Sequence, residues 1–147
     1  MGTTTLYVTE NTQKTECPSS NWLIYENSCY LFVTSSLDWF GAQHYCREYD
    51  AKLAEIETEA EDNFIRRIIA EAYSEQLFWL GGRDDDVEGS WKWSSGTSFT
   101  YTKWNSGEPN DNTNVNGYVQ DYLMTNANGW FDHESHNAVN YICETKE

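Results

Sequence analysis

Glu108-Pro109-Asn110 sets a carboxylate and a carboxamide either side of a proline, in a polar stretch entered through Trp104-Asn105-Ser106-Gly107. An X-Pro bond tolerates the cis form, and a cis turn can point its two flanking side chains at one spot. Their oxygens suit a hard cation such as Ca²⁺. The carboxylate can also accept a hydrogen bond from a hydroxyl, and the carboxamide nitrogen can donate to one. Such a pair fits two neighbouring hydroxyls of a sugar ring. A lone tripeptide of this kind is more often an ordinary proline turn, so the rest of the chain has to decide.

A second concentration of oxygen ligands lies upstream, in Arg83-Asp84-Asp85-Asp86-Val87-Glu88-Gly89. Carboxylates gathered there repel one another unless a cation joins them; the plainer reading is a solvated acidic loop. The formal charge of -15 over 147 residues argues against nucleic acid or an anionic membrane surface as partner, because both reward clustered Lys and Arg. No apolar run reaches membrane-spanning length. His133 and His136 have no third His or Cys beside them and read as polar loop residues. Nothing resembles a paired general acid and base or an activated nucleophile, so the chain is expected to bind rather than catalyse.

The length fits one domain with a real core. Residues 1–16 are polar and Thr-rich and are expected to form a tail; no signal peptide is visible in Met1-Gly2-Thr3-Thr4-Thr5. Trp22-Leu23-Ile24-Tyr25 and Ser28-Cys29-Tyr30-Leu31-Phe32-Val33, separated by Glu26-Asn27, read as a strand pair. Ser35-Ser36-Leu37-Asp38 opens a helix, with Ser or Asp as its cap, in which Trp39, Ala42, Tyr45 or Cys46, and Tyr49 recur at helical spacing through about Asp50. Thr58 with Glu61 forms a capping box for a second helix, whose apolar stripe is Ala60, Phe64, Ile65, Ile68 and Ile69. Phe78 to Gly82 is a short strand. The long stretch from Arg83 to Gly117 is loop-rich and of a length that tends to carry function, and Tyr118–Met124 and Asn140–Cys143 close the chain as strands.

Cys17, Cys29, Cys46 and Cys143 contain no Cys-x-x-Cys pair, which favours disulfides and an oxidising, extracellular compartment. Three pairings are open to four cysteines. Joining Cys17 to Cys29 and Cys46 to Cys143 is favoured, because the second bond closes a long loop and so restricts the unfolded chain most.

Cys17-Pro18, Cys29-Tyr30, the Trp39 to Cys46 helix, Leu53-Ala54-Glu55-Ile56, Trp79-Leu80-Gly81, Gly89-Ser90-Trp91-Lys92-Trp93, Trp104 with Glu108-Pro109-Asn110, and Tyr141-Ile142-Cys143-Glu144 occur in an order that resembles the C-type lectin-like domain. The resemblance covers residues 17–145. It implies an α+β fold in which two helices flank small antiparallel sheets and a long loop region carries calcium and sugar, within a recognition domain spanning 17–147. It implies the same two disulfides, and it assigns Trp39, Trp79, Trp91, Trp93, Trp104 and Trp130 to the core.

The resemblance also implies the site. Glu108 and Asn110 fall on ligands that hold Ca²⁺ and two sugar hydroxyls together, and Asp132 falls on the aspartate of a Trp-Asn-Asp motif. Here that motif is Trp130-Phe131-Asp132, so its amide ligand is replaced, and a further expected glutamate aligns with Val119. Asn114, Asn116, a backbone carbonyl and water are substitutes. Phe131 is expected to lie against the apolar face of a sugar ring. Asp84, Glu88 and Asp111 would form an auxiliary calcium site. The expectation is a secreted, calcium-dependent lectin for mannose-, glucose- or N-acetylglucosamine-type sugars, with galactose-type rings admitted, serving recognition of microbial glycans. A homo-oligomer would multiply weak sugar affinity. The alternative is a calcium-independent, protein-binding lectin-like domain.

Overall fold

The computed structural model describes residues 16–87, 89–109 and 121–146; apart from Glu16, the expected tail lies outside them. β1 (Leu23–Tyr25) and β2 (Ser28–Leu37) form a hairpin whose turn places Glu26 at φ 53°. β2 runs on through Ser35, Ser36 and Leu37, which corrects their assignment to a helix start. The turn into α1 (Trp39–Arg47) comes only at Asp38, whose carboxylate accepts from the Gly41 amide at 2.7 Å and so satisfies an otherwise orphaned helix N–H. Ser36 instead donates from its hydroxyl to Asn140, which ties this end of β2 to the last strand.

After β3 (Lys52–Leu53), Thr58 caps α2 (Glu59–Ile68) by accepting from the Glu61 amide at 3.1 Å. Glu61 returns the contact to the amide of Glu57 rather than to that of Thr58. α2 then widens into a π turn over Ile69–Tyr73. Its buried stripe differs from the expected one. Ala60 is exposed, while Glu61 and Asp62 are buried with Ile65 and Ile69, because the two carboxylates find partners deep in the fold.

β4 (Phe78–Arg83), β5 (Lys92–Trp93), β6 (Tyr122–Asn126), β7 (Gly129–His133) and β8 (Val139–Lys146) complete the set. The strands run in the order β1-β2-β8-β4-β6-β7, with β3 on β8 and β5 on β4. They make one continuous mixed sheet rather than separate antiparallel ones, since β4 and β8 pair in parallel. Strand alternation sends Leu31, Trp79, Met124, Phe131 and Tyr141 to one face, where α1 contributes Trp39, Ala42 and Cys46. Tyr30, Phe78, Leu80, Leu123, Trp130 and Ile142 go to the other, against Ile65 of α2. Each large apolar side chain removed from water in these two layers contributes roughly 1.5–3 kcal/mol before entropy is subtracted. Both expected disulfides are present, Cys17–Cys29 and Cys46–Cys143. No helix among the described residues is long and apolar enough to cross a membrane.

Candidate functional site

Glu108 and Asp132 arrive from segments far apart in sequence that the backbone fastens together. The Trp130 amide donates to the Lys103 carbonyl at 2.8 Å, and the Asn105 amide donates to the Trp130 carbonyl at 2.8 Å, so that Trp104 bridges Trp130 in parallel. The Glu108 amide then donates to Asn105 at 2.9 Å, closing the turn. The Glu108-Pro109 bond is cis, a form that an X-Pro bond tolerates. The fastening needs Gly129: its φ is +145°, and a Cβ there would lie 2.7 Å from the Lys103 carbonyl oxygen. A β-carbon would push the two segments apart.

A buried carboxylate on α2 holds the same segments from behind. Asp62, 1% exposed, accepts from the Trp130 indole at 2.8 Å, from the Tyr101 hydroxyl at 3.0 Å and from the Arg66 guanidinium at 2.7 Å. Arg66 also reaches the Ala127 carbonyl at 3.2 Å. Burial first, and the Asp62 charge second, push the Tyr101 phenol up to about 12. Sequence reasoning passed over Asp62, Tyr101 and Gly129. The signal for Asp62 was its spacing, since it stands three residues before Ile65 and seven before Ile69 on the buried stripe.

Asp132 sits on β7 opposite Leu123 and is 2% exposed. Alternation sends Phe131 to the other face of the strand from Trp130 and Asp132, where it is half-buried against the layer containing Trp79 and Met124. His133 is the last residue of β7 and half-buried, not a loop residue, and burial holds its imidazole below the usual range. Trp39, Trp79, Trp93 and Trp130 are fully buried, and Trp91 and Trp104 are partly so.

At the end of β4, Asp84 is 3% exposed; its carboxylate accepts from the Gly89 amide at 3.0 Å and its amide donates to the Asp121 carbonyl at 2.9 Å. Asp85 turns to the neighbouring Arg83, whose hydrogen bonds hold the carboxyl below its ordinary value, and accepts from the Tyr122 hydroxyl at 2.9 Å. Glu88, Asn110, Asp111, Asn114, Asn116 and Val119 lie outside the described residues. Among the described residues no three His, Cys, Asp or Glu side chains cluster as a metal site.

The family model described as the lectin C-type domain matches residues 35–145. The chain belongs to the C-type lectin domain family. This C-type lectin domain is 32% identical over 144 residues to human "C-type lectin domain family 10 member A", a match spanning 95% of the chain but only 43% of that relative's length. It superposes on the human scavenger receptor C-type lectin carbohydrate-recognition domain with a TM-score of 0.83 at 26% identity, over 90% of this chain and 100% of that one. A calcium-independent type II antifreeze protein shares the fold at a TM-score of 0.76 and 24% identity, over 89% of this chain and 95% of that one.

C-type lectin domains commonly bind calcium, and the residues at hand fit such an ion by the chemistry of the donor set. Glu108 and Asp132 offer hard carboxylate oxygens, and the sequence adds the Asn110 carboxamide. With Asp132 withdrawn from bulk water, its attraction for a cation is less screened than at a surface.

Proposed function

We propose that this domain binds carbohydrate in a calcium-dependent manner, through Glu108, Asn110 and Asp132, and that it does no catalysis. The observation that supports the reading is the fastening of the Glu108 turn to β7 through Asn105 and Trp130, which draws two carboxylate-bearing segments to one edge of the sheet. A bound calcium ion would supply open coordination positions for two neighbouring sugar hydroxyls. The protein's own part is to hold the carboxylates and to accept hydrogen bonds from the same hydroxyls.

The Glu-Pro-Asn turn favours mannose-, glucose- or N-acetylglucosamine-type rings, whose 3- and 4-hydroxyls are equatorial. With phenylalanine in place of an amide ligand at position 131, the site admits galactose-type rings as well. The relative described as a carbohydrate-recognition domain lends weight to the glycan reading. Two disulfides suit a secreted, extracellular protein, and recognition of microbial glycans is the proposed role. Asp84, with Glu88 and Asp111, is proposed as an auxiliary calcium site.

One observation favours a second reading, a calcium-independent domain that binds protein. Phe131 packs into an apolar layer, so its presence has a structural reason that requires no metal, and the fold persists in a relative described as calcium-independent. A glycan array run with and without a chelator separates the two. Chelator-sensitive sugar binding supports the lectin reading; no glycan binding in millimolar calcium overturns it.

A further inference from the structure

We infer that the outer edge of β2 is a docking site for an extended peptide, which adds a strand there and whose ends carry basic residues. β1 pairs with β2 only from Ser28 to Tyr30, whereas β8 follows the opposite edge of β2 from Ser28 to Val33 and meets it again at Leu37 after a shift in register. From Leu31 to Ser35, β2 has no strand on its outer side among the described residues. Five residues of strand extend about 17 Å. Outward backbone N–H and C=O groups along such an edge are a template for another strand.

This edge is recessed. It runs through a cleft of about 470 Å³, walled by Trp22, Tyr45 and Tyr49 on one face of the strand and by Phe32 and Tyr73 on the other. The walls are built. The Tyr45 and Tyr49 hydroxyls lie 3.1 Å apart, Tyr49 meets Trp22 edge-on at 6.2 Å, and Phe32 stacks on Tyr73 at 5.6 Å. A strand entering the cleft would place successive side chains alternately against the two aromatic walls.

Charge decides the kind of peptide. No residue lining the cleft is Asp, Glu, Lys, Arg or His, in a chain of net charge -15. The segment inside the cleft must therefore be uncharged, because an ionised side chain would lose hydration without gaining a partner. Outside it, the exposed Glu48 and Asp50 flank Tyr49, with Glu48 3.4 Å from the His44 imidazole and Arg47 next to it; the surplus negative field of the whole domain attracts cationic ends. The site uses no residue of the proposed glycan site and needs no calcium.

The test is fluorescence anisotropy on the full chain, with a labelled short peptide that alternates valine with threonine and tyrosine between terminal lysines. The comparison peptide carries N-methyl groups on alternate amides of one edge, and a second carries them on the other. Expected is saturable binding, unaffected by chelator and lost by about tenfold or more when one set of amides is blocked. Tyr49→Ala, which removes part of one wall without adding charge, should weaken binding by a similar factor in a variant first shown to fold by its melting transition. Equal binding of all three peptides, no binding at millimolar protein, or displacement by free saccharide but not by unlabelled peptide would each overturn the inference.

Discussion

The indole of Trp130 donates to the carboxylate of Asp62 at 2.8 Å across 68 residues of chain. That one bond joins α2 to the strand that carries Asp132, and the Tyr101 hydroxyl on the same carboxylate brings in the segment that leads to Glu108. The proposed site is therefore supported from inside the protein by a group that touches neither metal nor sugar.

Replacing Asp62 by Ala leaves the Trp130 indole, the Tyr101 hydroxyl and the Arg66 guanidinium without their shared acceptor. The loss should be about 3 kcal/mol, within the range for breaking a buried, charge-assisted contact. Urea unfolding measures it, and a change below about 1 kcal/mol would show that the carboxylate is dispensable.

Gly129→Ala should act on the site as well as on stability. The added carbon meets the Lys103 carbonyl, at a backbone angle that disfavours any side chain. We expect a loss of about 2 kcal/mol, with calcium affinity falling further than that of Gly96→Ala, whose Cβ would meet open space, also at positive φ. Equal effects of the two substitutions would remove the close approach as the reason.

Asp132→Ala should abolish the calcium-dependent rise in melting temperature that the proposed site implies, because it removes a buried carboxylate from the proposed donor set, in which Phe131 stands in place of an amide. Glu108→Gln keeps the shape but not the charge and should weaken calcium binding by about tenfold or more. Calorimetry with calcium chloride, on variants first shown to fold, reads both. Unchanged heats in Asp132→Ala would point the metal elsewhere.

Alkaline pH should loosen the same region through Tyr101. Its phenol titrates at about 12 in the fold against 10.0 unperturbed. A raised value means that the folded state holds the proton more tightly, so this contribution is complete below pH 10 and is lost as the pH rises through about 12. Tyr30, buried and facing the charges of Glu144 and Glu61, is held up further still. Following phenolate absorbance and unfolding together, Tyr101→Phe should lose less stability across that window than the parent chain; identical slopes would contradict the assignment.

Much of this protein was legible as sequence. The hairpin around Glu26-Asn27, the Thr58 cap, the tryptophans of the core and both disulfides follow from local patterns or from the ordered motifs of the family, because capping, alternation and cysteine spacing are properties of short segments. The start of α1 was placed too early in part: Ser35 and Ser36 are good capping residues, and only the pairing of β2 with β8 carries the strand past them to Asp38, the other cap the sequence offered. β7 was also missed, since its residues resemble a polar loop until Tyr122–Asn126 pairs with them.

What tertiary structure alone decided is which groups meet. Asp62 looks like an ordinary first-turn acid of a helix until Trp130, Tyr101 and Arg66 converge on it, and Gly129 looks like a turn glycine until Lys103 crosses it. Phe131 and Asp132 are neighbours in sequence, yet the pleat sends them to opposite faces of one strand. Composition and spacing set what each segment can form; the contacts between segments depend on how the sheet is ordered, and no short stretch of chain contains that information.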